Sequence, residues 1–204
     1  VKADQLDVPL FVAFATEAQR RMGEFNAQHL ANTASACAKA DQLDVPLFAA
    51  LSLEAQQHMG KFNAQHLANT AWAFAKAGKL DVPLFAALAR EAQRRVGEFN
   101  AQQLANTAWA FAKAGQLDVP LFTALAMEAQ RRVGEFDAQA LANTAWAFAT
   151  VVRSDALLFA VLVREVERHM VKFMLQDFAS TVGAFASAGR PDMSSFATLR
   201  KPAE

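Results

Sequence analysis

The 204-residue chain carries 20 basic and 20 acidic side chains, so its formal net charge is zero; a protein held to nucleic acid by bulk charge alone is more basic than this. Its single cysteine, Cys37, excludes an internal disulfide framework. Hydrophobic residues make up 53% of the chain, too many for disorder, yet no apolar run reaches the ~18 to 20 residues needed to cross a bilayer.

The apolar excess is mostly alanine, tyrosine is absent, and β-branched residues are sparse. That composition favours closely packed helices over sheet. The chain opens on Val1 with no signal-like start, as expected of an internal or mature piece of something longer.

A repeat of 37 residues organises everything else. Phe25, Phe62, Phe99, Phe136 and Phe173 stand 37 apart, as do Pro9, Pro46, Pro83 and Pro120. A third ladder runs Asp7, Asp44, Asp81, Asp118, Asp155, Asp192 with no insertion or deletion. Units this short stack on their neighbours instead of closing around one core. The expectation is an all-α solenoid forming one domain over 1–204. Its helix-turn-helix repeats fall at approximately 7–43, 44–80, 81–117, 118–154 and 155–191, with the start of a sixth at 192–204.

Each unit opens on a helix A. In the unit from 81, Asp81 is a candidate N-cap and Pro83 suits the first turn, where a missing N–H costs nothing. Leu84, Leu88, Ala92 and Val96 mark an apolar stripe at helical spacing, widened by Phe85 and Ala89. Arg94 and Arg95 suit the negative end of the helix, and Gly97 is expected to supply a left-handed stop. Helix A predicts about 15 residues.

Helix B follows and predicts about 14 residues. Asn100 caps it, Gln103 at the third helical position completes a capping box, and Phe99 with Leu104 forms a hydrophobic staple. Gly115 ends it, as Gly78 ends its counterpart. His29 and His66 occupy the position of Gln103 and read as capping-box variants. Cys37 stands where later repeats have Phe74, Phe111 and Phe148, and reads as a small core residue.

Helix B also carries a second line of residues, at i, i+4, i+7 and i+11 on one face. In chain order it reads Gln28, Asn32, Ser35, Lys39; then Gln65, Asn69, Trp72, Lys76; then Gln102, Asn106, Trp109, Lys113. It continues as Gln139, Asn143, Trp146, Thr150 and closes as Gln176, Ser180, Gly183, Ser187. Stacked, these lines give rows of amides crossed by tryptophans and edged by lysines. Helix B holds almost no acid, whereas helix A holds most of the Arg and Glu, so charge is segregated by helix.

That face admits two uses. Amides can meet base edges, indole rings can stack on bases, and lysines can meet phosphate, which is what unpaired RNA requires. Alternatively, Asn and Gln can bond across repeats to fix the stacking register, and Trp can fill gaps between neighbouring helices. The Arg and Glu residues of helix A read as a solvated face with i,i+4 pairs, although Arg131 and Arg132 could dock a partner.

The segments Leu67-Ala-Asn-Thr-Ala-Trp-Ala-Phe-Ala, Leu104-Ala-Asn-Thr-Ala-Trp-Ala-Phe-Ala and Leu141-Ala-Asn-Thr-Ala-Trp-Ala-Phe-Ala resemble the helix-B signature of octotricopeptide and heptatricopeptide repeats. Those are helical-hairpin solenoids of organelle proteins, found beside RAP domains or in FAST-kinase-like proteins. The resemblance implies single-stranded RNA binding on the helix-B surface, in a mitochondrion or chloroplast, serving RNA stability, processing, translation or ribosome assembly. The alternative is a protein-binding scaffold or peripheral subunit of a large organelle complex, such as a ribosome or photosynthetic assembly. The candidate RNA- or partner-binding residues are Asn32, Lys39, Gln65, Asn69, Trp72, Lys76, Gln102, Asn106, Trp109, Lys113, Gln139, Asn143 and Trp146. No catalytic or metal site, cofactor or small-molecule substrate is expected. His58 and His169 lack spacing that suggests zinc, and the glycines read as helix stops rather than a phosphate loop.

Overall fold

The computed structural model describes residues 8–151 and Arg164. Apart from Arg164, repeat five lies outside the described residues, as do the start of the sixth and His169. Within them the fold is an all-α solenoid of four helix pairs. The A helices are α1 (Val8–Arg20), α3 (Val45–Gln57), α5 (Val82–Arg94) and α7 (Val119–Arg131). The B helices are α2 (Ala27–Lys39), α4 (Ala64–Lys76), α6 (Ala101–Lys113) and α8 (Ala138–Val151).

The caps explain where each helix begins. Asp44, Asp81 and Asp118 accept a hydrogen bond from the backbone N–H three residues on, at 2.7, 2.9 and 2.9 Å, with Pro in the first turn behind each. Asn26, Asn63 and Asn100 close complete capping boxes with His29, His66 and Gln103. The two histidine boxes are looser. The backbone N–H of Asn63 reaches His66 Nδ1 at 3.4 Å, whereas that of Asn100 reaches Gln103 Oε1 at 3.0 Å.

The A helices end differently from the sequence expectation. Gly97 is not a left-handed stop; among the described residues Gly78 and Gly115 are the glycines with positive φ, at 62° and 65°. α5 stops at Arg94, two residues before Val96. The N–H of Arg95 is shared between the carbonyls of Glu91 and Ala92, which tightens the chain into a 3₁₀ turn over Val96–Glu98. That turn delivers an extended Phe99 directly to the Asn100 cap, so no left-handed residue is needed. Each described A helix therefore has 13 residues and a following 3₁₀ turn of 3.

α4 and α6 do end on the left-handed glycine. The N–H of Gln116 bonds the carbonyl of Phe111 and that of Gly115 bonds Ala112, a Schellman pair repeated at Lys79/Phe74 and Gly78/Ala75. In the first repeat Asp41 takes this place with φ 54°, a conformation that short polar side chains tolerate better than most.

Phenylalanines join the two helices of a pair. Phe48–Phe74, Phe85–Phe111 and Phe122–Phe148 meet edge-to-face with centroids 5.2, 5.0 and 5.4 Å apart. Leu104, Ala108 and Phe111 form the buried stripe expected of helix B, and Phe62, Phe99 and Phe136 are buried at its entry. Cys37 fills the corresponding core position in the first repeat. It is buried, and burial raises its thiol pKa, which suits an inert packing role.

Layers form by helix type. α2, α4, α6 and α8 pack intimately along the stack, while α1, α3, α5 and α7 touch one another more sparingly. Alanine permits that approach: Ala68, Ala71, Ala105, Ala108, Ala142 and Ala145 are all buried. Closer spacing on the B side makes it the inner side of the stack.

The histidine boxes carry a testable consequence. Burial pushes the His66 imidazole below its usual value, and the neutral ring is the form that accepts the Asn63 N–H. Because the folded-state value is depressed, its contribution is present above the unfolded value of about 6.5 and is lost as pH falls through the lower folded value. His66→Gln should remove that pH dependence and raise stability by about 0.5 kcal/mol, read from urea midpoints at pH 7.5 and 5.5.

Candidate nucleic-acid interface

The exposed side of the B layer is a groove of about 650 Å³ that spans four repeats. Its walls take in Asn32 and Lys39 from α2, Gln65, Asn69 and Trp72 from α4, Gln102 and Asn106 from α6, and Gln139 from α8. The sequence-predicted Lys76, Trp109, Lys113, Asn143 and Trp146 lie on the same helices but outside this lining. Ser35, Ala36, Asn100 and Gln103 also line the groove. The sequence offers the last two as capping residues only. Their spacing gave no sign that a helix start in one repeat borders the face of the next.

The hydrogen bonds separate the two uses of the amide rows. Among the described residues, the side chains of Asn32, Asn69, Asn106, Asn143 and of Gln65, Gln102 and Gln139 donate or accept no hydrogen bond within the protein. They do not lock the register. Locks lie elsewhere, on the A side. Gln93 Nε2 donates to Asp118 Oδ1 at 3.0 Å, Ser52 Oγ to Asp81 Oδ2 at 2.6 Å, and Gln19 Nε2 to Asp44 Oδ1 at 3.4 Å, each joining one repeat to the next. Arg95 Nη1 donates to the carbonyl of Phe62 at 2.7 Å, and Arg132 makes the same bond to Phe99.

Those arginines are consequently committed. Arg95 also pairs with Glu98 at 2.9 Å, and Arg132 with Glu135. Arg94–Glu91 and Arg131–Glu128 are close i,i+3 pairs, and the expected i,i+4 pairs are present beside them as Arg95–Glu91 at 3.5 Å and Arg132–Glu128 at 3.9 Å. Bonding to Arg94 and Arg131 holds the Glu91 and Glu128 carboxyls below their usual pKa. Arg131 and Arg132 are thus tied into this network, with the Arg131 side chain still exposed. His58 occupies the place of Arg95 in the second repeat, and its Nδ1 lies 3.5 Å from Glu54.

The tryptophans are half-buried and fall into two situations. Trp109 and Trp146 lean on each other, with centroids 6.3 Å apart and a 38° tilt. Trp72 lines the groove, and Lys39 Nζ lies 5.9 Å from its ring centroid. Ser35, the residue that replaces Trp in the first repeat, donates instead to the Asn69 carbonyl at 3.4 Å. The groove lining contains Lys39 and no carboxylate. The one acid at the start of a described B helix, Asp137, is occupied in accepting the Ala140 N–H at 2.7 Å.

Fold and face together define an α-solenoid with an unspent amide groove on its inner layer. The chain belongs to the RESC6 family, RNA-editing substrate-binding complex 6 proteins, whose family model matches residues 2–200. The octotricopeptide resemblance therefore stands in its coarser form, as an all-helical, RNA-binding family. No curated protein gives a match.

Proposed function

We propose that the chain is a non-catalytic binding module that holds single-stranded RNA along the groove of α2, α4, α6 and α8, with low sequence selectivity. The observation that carries this is the set of amides facing the groove with no partner in the protein. Polar groups left over by packing are available for base edges, with indole faces and lysines beside them. The family name supports an editing substrate as the RNA. Among the settings the repeat resemblance implies, a mitochondrion suits the proposal, and nothing further supports a chloroplast.

Low selectivity follows from uniformity. Repeats two and three present the same Gln, Asn, Trp and Lys, and repeat four changes only the lysine, to Thr150. A reader with one letter repeated distinguishes little beyond a homopolymer.

The test is a salt titration with short single strands. If Lys39, Lys76 and Lys113 each meet one phosphate, log K should fall with log salt with a slope near −2, at ~0.7 per phosphate. Alanine at Asn69, Asn106 and Asn143 together should weaken binding ~10-fold or more, about 1.4 kcal/mol. Binding without a salt slope that survives the triple substitution would favour the rival use, a protein scaffold acting through the same groove.

A further inference from the structure

The first repeat breaks the uniformity of the groove face. Where α4, α6 and α8 carry Trp72, Trp109 and Trp146, α2 carries Ser35. Two indoles in neighbouring repeats meet, as Trp109 and Trp146 do with 6.3 Å between centroids. Trp72 has a serine at that place in the repeat before it. The Ser35 hydroxyl donates to the Asn69 carbonyl at 3.4 Å, close to the α4 backbone. Ser35, Ala36, Lys39 and Trp72 all line the groove there, between Asn32 and Asn69, and Ala36 is exposed.

The helix that carries the serine is otherwise built like its successor. α2 and α4 each have 13 residues, an Asn cap and a box closed by histidine. A bicyclic ring is thus exchanged for a hydroxymethyl group on a matching backbone, and the groove is open where the ring would stand. The Lys39 ammonium reaches this opening, 5.9 Å from the Trp72 ring centroid. Among the described residues no such contact joins Lys76 to Trp109 or Lys113 to Trp146.

We propose that this opening is a purine subsite. One purine base of the bound strand enters between Ser35 and Trp72 and stacks on the Trp72 ring, in the place an indole would hold. The inference rests on the reading of the groove as an RNA site. Shape selects the occupant. A purine is planar and bicyclic, like the ring that is missing, whereas a pyrimidine fills only part of the room. Aromatic side chains accept the face of any base, and preferences among bases follow stacking strength; the purine has the larger face. Lys39 stands beside the ring, where a cation can meet the phosphate of the same nucleotide. Repeats two to four offer every base the same Gln, Asn and Trp, so among the described repeats the first is the one that can set the register of a strand.

The experiment measures binding to the whole chain by fluorescence anisotropy of end-labelled RNA. The probes are a strand of nine uridines and the same strand with adenosine or guanosine at its centre. Either purine should tighten binding by ~5-fold or more. Ser35→Trp puts back the residue that the other three described repeats carry, and its urea midpoint should be at or above that of the wild type. It should fill the opening, weaken all three strands and bring them within about 2-fold of one another. Ser35→Ala keeps the opening and should keep the purine gain, because room and not the hydroxyl is what the base needs. Equal affinity of the three strands for the wild type, a purine gain that persists in Ser35→Trp, or one that vanishes in Ser35→Ala overturns the subsite while leaving the groove as an RNA site. Failure of every strand to bind overturns both.

Discussion

Phe111→Ala should destabilise the stack by about 3 to 5 kcal/mol, the usual range for truncating a buried phenylalanine. Phe111 is 1% exposed and meets Phe85 edge-to-face at 5.0 Å. Alanine would empty a volume between the two helices of one repeat. Those helices are held at their ends by the Asn100 box and the Gly115 turn, so they cannot collapse freely into the gap. The loss also propagates, because stability in a solenoid is a sum of unit terms and neighbour interfaces. Breaking a central unit uncouples the repeats before it from those after it. The molecule contains its own comparison in Cys37, which fills the same place with a smaller side chain. Cys37→Ala removes one sulfur atom from a terminal unit and should cost much less, about 1 kcal/mol. Urea denaturation followed by circular dichroism measures both. A Phe111→Ala midpoint close to wild type would show that the core does not depend on the ring pairs.

Why some of this was legible in the sequence is itself physical. Caps, staples and the buried stripe are local or strictly periodic, and the 37-residue register repeats them four times over, so each copy checks the others. The Asn100/Gln103 box, the Gly115 stop and the Phe111 core position all follow from spacing within one helix. Gly97 misled because glycine marks both a left-handed stop and a 3₁₀ turn, and only the hydrogen bonds of Arg95 distinguish them. What joins one repeat to the next was also hidden. Arg132 to the carbonyl of Phe99, and Gln93 to Asp118, connect side chains that no helical period relates. Once those ties are seen on the A side, the Asn69 and Asn106 amides lose their presumed structural employment. The same limit applies to Thr70, Thr107 and Thr144. Their hydroxyls are buried without a partner, and composition cannot tell a buried threonine from an exposed one.

Trp72→Ala should reduce affinity for single-stranded RNA by ~10-fold or more, whereas Trp109→Ala should act mainly on stability. The three indoles are identical in sequence context, so the difference comes from what each ring already touches. Trp109 and Trp146 have spent part of their faces on each other at 6.3 Å, and an aromatic pair of that kind is worth about 0.5 to 1.5 kcal/mol beyond its buried area. A base competing for either ring must first displace the other. Trp72 lines the groove among Asn69, Gln65 and Asn106, with the Lys39 ammonium 5.9 Å from its ring centroid. An exposed cation–π contact is worth about 0.5 to 1 kcal/mol. Base stacking on an aromatic side chain is worth about 1 to 3 kcal/mol, so a base outcompetes the ammonium and releases Lys39 toward the phosphate beside it. Trp72→Phe keeps a stacking face and should recover most of the affinity, which a purely packing role would not require. Lys39→Gln should weaken binding and flatten the salt dependence by about 0.7 in slope. Fluorescence makes the assignment direct: RNA should quench the Trp109→Phe/Trp146→Phe protein by a larger fraction than the wild type, whose other two indoles keep emitting, and should barely quench Trp72→Phe. Equal quenching in all three proteins would place the bases off the Trp72 ring and return the whole tryptophan ladder to packing.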